Sequence, residues 1–164
     1  MAYFVTECLE KIEVVQLKKE TITLLIERSD LEGVLKFIAD QVEVSKSIAQ
    51  RYWRTLQSPD IFWDDDLMRP MVWKETKPGA RRPDGANIWP LWTMEDALDW
   101  IKQAGHQFAA VYSFRNPEHV EAYFTYGLHN RLVRIDAKSI ILALLLFVDR
   151  ALKGEYDEGS LEQK

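Results

Sequence analysis

The sequence is poor in the residues that most chemistries need. A single cysteine, Cys8, has no partner for an internal disulfide, which points to a reducing compartment, the cytoplasm. The most apolar run, Ile140 to Val148, is far shorter than the roughly 20 residues of a membrane helix. No basic segment leads into an apolar stretch with a small-residue cleavage site, so no secretory leader is expected. Three histidines, His106, His119 and His129, lack the i, i+4 spacing of a helical metal pair. The seven glycines form no phosphate-cradling loop, and neither G-x-S-x-G nor C-x-x-C occurs. Cys8 has no local feature that would activate a thiolate. Excess positive charge is missing too: 21 Lys and Arg face 26 Asp and Glu, a net charge of −5 that repels phosphate. The expectation is no catalytic residue, no cofactor, no metal and no membrane contact.

What is present is apolar and aromatic mass. Hydrophobic residues make up 47% of the chain and charged ones 29%, a globular balance able to bury a core without disulfides. Residues 1–57 read as a helical segment. Val5, Leu9 and Ile12 recur at helical spacing, and Leu31, Val34, Leu35, Ile38 and Val42 make one stripe. That stripe breaks at Glu43-Val44-Ser45 and resumes with Ile48, Tyr52 and Leu56. Residues 58–92 read as an irregular connector holding five of the six prolines and the run Asp64-Asp65-Asp66. Met71-Val72-Trp73 is a short strand candidate there, and Lys77 to Asn87 is turn chemistry throughout.

Residues 93–154 are the best-defined part. Thr93-Met94-Glu95-Asp96 is an N-cap with an acid at the third helical position, and Gly105 is a stop signal. In Gln107–Phe114, Phe108, Ala110, Tyr112 and Phe114 alternate with a second, also rather apolar set. Val120–Tyr126 and Arg131–Ile135 are further strand candidates. Asp136 is expected to cap a long helix running to about Lys153 and closed by Gly154. A tail, 155–164, is expected to fray. The fold class is therefore α+β: an N-terminal helical segment packed on a small C-terminal sheet covered by a long apolar helix.

Two stretches resemble known devices. IADQVEVSKSIAQRYWRTL, residues 38–56, resembles a repressor-type helix-turn-helix. Ala39 stands at the close-approach position and Val44-Ser45 at the turn and cap. Lys46, Ser47, Gln50, Arg51 and Arg54 lie on the second helix, where they would meet nucleic acid. Glu43 stands where that pattern takes glycine, and two ordinary packed helices account for the same spacing. Farther on, NIWPLWTMEDALDWIKQ, QFAAVYSF and DAKSIILALLLFVDRALKGE follow one another in the order helix, strands, helix. This resembles the phage helix-sheet-helix (ABA) sandwich domain, with Ala137-Lys138-Ser139 in place of its small residue and proline before the last helix. The resemblance implies an accessory protein of a phage or mobile element with no catalytic residues.

Six tryptophans crowd the middle of the chain. Exposed aromatics beside arginine make protein-binding hot spots. Trp73 and Trp89 flank a loop carrying Lys77, Arg81 and Arg82, so these five residues are the expected partner-binding set. The function expected is a non-enzymatic binding protein occluding a host macromolecule, with a protein partner and self-association both open. The alternative is a DNA-binding regulator acting through residues 38–56.

Overall fold

The computed structural model describes residues 2–4, 26, 31–54, 60–73, 87–114 and 118–157. The fold is α+β, with two antiparallel sheets among those residues. The chain divides into two compact units, one of Met1–Val15 with Trp92–Lys164 and one of Gln16–Leu91. No helix among the described residues is long and apolar enough to cross a membrane.

In the unit of residues 16–91, helix α1 runs unbroken over Leu31–Ala49. The break expected at Glu43-Val44-Ser45 is absent, and among the described residues no second helix follows at 50–54. The reason lies in the buried stripe, which continues through polar residues. Ile38, Gln41, Val42, Ser45 and Ile48 are all buried, at steps of three and one that keep to one face. Gln41 and Ser45, polar but buried, carry the stripe across the expected break. Leu35, on the same side near the start of the helix, is 37% exposed. The helix ends where the N–H of Tyr52 bonds to the Ile48 carbonyl.

The expected irregular connector holds a sheet of strands β2 (Asp60–Asp64), β3 (Arg69–Trp73) and β4 (Ile88–Pro90), ordered β3-β2-β4. Pro70 and Pro90 sit in the two edge strands, the place where a missing N–H costs least. The acid run forms the β2–β3 turn. Asp64 Oδ1 accepts from the N–H groups of Asp66 and Leu67, and Met68 takes the left-handed φ of +53°. Ile61, Trp63, Trp89 and Leu91 pack with Ile26, Ile38 and Val42 into this unit's core, and α1 lies against β4.

The second unit carries a four-stranded sheet ordered β1-β5-β6-β7, with β1 at Ala2–Phe4, β5 at Gln107–Phe114, β6 at His119–Tyr126 and β7 at Arg131–Ala137. The N-terminus thus begins as a strand, where a helix was expected; Val5, Leu9 and Ile12 lie outside the described residues. Helix α2, Met94–Gln103, opens with the expected capping box, Thr93 and Asp96 bonding each other's backbone N–H. It closes with a Schellman turn: Gly105, at φ +82°, bonds to Lys102 O and His106 N–H bonds to Ile101 O. Thr93→Ala should lower stability by about 1 kcal/mol, read as a drop in Tm, whereas Thr93→Ser should leave Tm nearly unchanged.

Helix α3, Ile140–Leu152, is capped by Ser139, whose Oγ accepts from Leu142 N–H. Asp136, the expected cap, is in β7 instead, because the strand continues to Ala137 before the chain turns. The end is as expected, with Gly154 at φ +75°. Phe147 of α3 stacks on Phe124 of β6, centroids 4.2 Å apart. Glu155, Tyr156 and Asp157, part of the expected fraying tail, are held: Tyr126 Oη donates to Asp157 Oδ1 at 2.8 Å, and Arg131 Nη1 to the Tyr156 carbonyl at 3.0 Å.

Candidate functional site

Of the five residues expected to bind a partner, only Trp89 has a described side chain, and it is buried. Trp89 is 4% exposed, its indole N–H bonded to the Val42 carbonyl at 3.1 Å. It belongs to a core, because β4 pairs with β2 and turns the ring onto α1. Trp73 ends β3, its side chain outside the described set. Lys77, Arg81 and Arg82 lie outside the described residues altogether. The nucleic-acid set is scattered. Lys46 holds its ammonium 5.1 Å over the Trp89 ring. Ser47 is half-buried, while Gln50 and Arg51 are exposed in the turn after α1. Arg54 points inward onto Asp60, with bonds of 2.6 and 3.0 Å. Because α1 does not break, these five do not share the outward face of a second helix.

A different constellation is assembled by the four-stranded sheet. Strand alternation buries Val120, Ala122 and Phe124 on β6 and Val133 and Ile135 on β7. The opposite face therefore carries His119, Glu121 and Tyr123 beside Arg134 and Asp136. Glu121 pairs directly with Asp136, and Tyr123 with Arg134. On β5 a bulge at Ala109 shifts the register between Phe108 and Ala110. Phe108 and Val111 thereby both point into the core, and Tyr112 and Phe114 point out, 37% and 40% exposed. The bulge corrects the expected alternation, in which Phe108, Tyr112 and Phe114 shared a face.

At the centre of this outer face Arg134 joins two carboxylates. Its Nη2 donates to Glu121 Oε1 at 2.9 Å and its Nε to Asp136 Oδ1 at 3.0 Å. The bonded Asp136 carboxylate raises the Arg134 pKa further, so the cation is permanent. His119 Nε2 stands 3.9 Å from the same two oxygens. His119, Glu121 and Asp136 place their ligand atoms within 4.8 Å of one another, a spacing a divalent ion could use. The guanidinium, however, already bridges the two carboxylates. Around this centre lie Tyr112 and Tyr123, edge to face at 5.6 Å, Phe114 with its ring 5.8 Å from His119, and Leu132, 66% exposed. An open depression of about 370 Å³, bordered by Phe114, Glu118, His119 and Lys138, adjoins them.

Sequence reasoning missed this face because it sought histidine spacing suited to helices. The usable signal was the period of two in HVEAYFTY and RLVRIDA, which puts His119, Glu121 and Tyr123 on one side. Joining them to Arg134 and Asp136 requires the register of the hairpin. No protein-family model matches the chain, and comparison with curated proteins and with solved structures finds no match.

Proposed function

We propose that the chain is a non-catalytic binding protein that occludes a partner protein with the outer face of its four-stranded sheet. One observation carries this reading. Tyr112, Phe114 and Leu132 stand 37%, 40% and 66% exposed on the same face as the Glu121–Arg134–Asp136 network. Aromatic rings around a central charged group are the usual make-up of a protein-binding hot spot. Helix α3 is read as the cover of the sheet's other face, supported by the stacking of Phe147 on Phe124; that leaves the outer face for a partner.

The partner's chemistry follows from charge. Two carboxylates share one guanidinium, Glu118 adds a third carboxylate nearby opposite Lys138, and the whole chain carries −5. A lysine or arginine presented among apolar groups would meet carboxylate oxygens and the faces of Tyr112 and Tyr123. An accessory role in a phage or mobile element suits such an occluding protein, as the resemblance of the last third implies.

The test uses defined peptides and backbone amide NMR. Peptides combining arginine with tryptophan or leucine should shift the amides of Tyr112, Glu121, Tyr123 and Arg134, and acidic analogues should not. Tyr112→Ser with Phe114→Ser should weaken binding at least tenfold while leaving the spectrum folded. Shifts confined to other surfaces, or equal affinity in the variant, would overturn the reading. So would association with random duplex DNA that weakens steeply with salt, the signature of phosphate binding.

A further inference from the structure

We propose that His106 is an acid-sensitive latch fastening the β6–β7 turn to the end of helix α2. The proposal goes beyond the docking reading and does not depend on it. His106 directly follows the Schellman glycine of α2, and its own N–H is bonded to Ile101 O at 2.9 Å, so its backbone is fixed by the helix end. Its ring Nδ1 accepts the backbone N–H of Gly127 at 3.0 Å. An imidazole can accept there only when neutral, with its proton on Nε2. Gly127, at φ +72°, opens the turn that closes with Asn130 N–H on Gly127 O. The ring thus holds the turn from the side, and the turn carries Leu128, 98% exposed.

The surroundings of the ring are aromatic. It stacks on Tyr126 at 4.3 Å and 16°, and lies 5.7 Å from both Trp100 and Phe147. From α2 and α3 it is therefore faced by uncharged groups. The titratable groups nearby are Tyr126 and, through it, Asp157 and Tyr156 of the C-terminal turn, with Arg131 bonded to that turn. Burial and the bonded Asp157 push the Tyr126 hydroxyl up to about 12, so it remains a donor to Asp157 and leaves that carboxylate engaged. His129 sits within the turn itself and is exposed.

Protonation at Nδ1 sets a donor against a donor, and the bond to Gly127 must open. Burial lowers the His106 pKa from its ordinary 6.5, the direction expected for a ring kept neutral by apolar neighbours. The unfolded chain then binds the proton more readily than the folded one. The latch is intact above about 6.5, weakens as the pH falls below it, and is lost through the lower folded value.

Amide exchange of the whole chain, expressed as protection factors at pH 8 and pH 5, tests this directly. The Gly127 amide should lose protection several-fold at pH 5 while Val133 and Phe124 in the strands keep theirs. In His106→Gln, whose amide oxygen can still accept but does not titrate, the pH dependence should vanish; in His129→Gln it should persist. The His106 ring nitrogens of the unaltered protein, followed by ¹⁵N shift, should titrate below 6.5. Unchanged Gly127 protection, an unaltered pH response in His106→Gln, or titration at or above 6.5 would each overturn the latch.

Discussion

Asp60→Ala should lower the stability of the unit of residues 16–91 by about 3–5 kcal/mol, the range for breaking one side of a buried ion pair. The Asp60 side chain is 2% exposed and that of Arg54 12%. The guanidinium forks onto both carboxylate oxygens and also donates to the Leu91 carbonyl, while Asp60 Oδ1 accepts from Ile61 N–H. Three bonds from Arg54 thus tie the segment after α1 to β2 and to the residue after β4, and a fourth fixes the carboxylate to its own strand. Removing the carboxylate leaves a desolvated cation that cannot be neutralised, since arginine keeps its proton. Urea unfolding followed by the exchange of β2 and β4 amides is the measurement. Replacing both partners together, Arg54→Met with Asp60→Leu, should recover much of the loss, because no lone charge then remains. A loss below about 1 kcal/mol for Asp60→Ala would show that water reaches the pair and that Arg54 is a surface residue.

Phe147→Ala should cost about 3–5 kcal/mol in the other unit, as large aromatic-to-alanine changes in cores do. Phe147 is fully buried, stacks on Phe124 at 4.2 Å and 8°, and stacks on Tyr156 at 5.6 Å and 19°. Its edge also meets His106 and Tyr126. One ring therefore joins α3 to β6, to the C-terminal turn and to the surroundings of the latch. Thermal unfolding should show a lowered Tm, and near-ultraviolet circular dichroism a reduced aromatic signal even below the transition. Phe147→Leu should lose less on both counts, because a residual cavity, rather than lost aromaticity alone, sets most of the cost. Equal losses for the two would instead make ring stacking the dominant contribution.

Arg54 and Trp89 show where legibility ended. Both stood out in the sequence, Arg54 as a nucleic-acid contact and Trp89 as an exposed anchor, because arginine and tryptophan are enriched at interfaces. Both turned out to be internal. Arg54 is internal because Asp60, six residues later, supplies a buried carboxylate; Trp89 because β4 pairs with β2, far earlier in the chain. The strands of that sheet are three to five residues long, too short for a period of two to declare itself, and prolines in two of them read as breakers. By contrast, the α2 cap and both glycine stops were plain, since each rests on contacts within one turn of chain.

Local chemistry determined where α2 begins, where α2 and α3 end, and which stretches of the last third are extended, because capping, left-handed glycines and side-chain alternation act over neighbouring residues. Pairing decided the rest. The bulge at Ala109 chose which rings of β5 face outward, and the β6–β7 register brought Arg134 between Glu121 and Asp136. Such choices depend on residues of different strands competing for the same hydrogen bonds and the same apolar space, and no single strand contains both competitors.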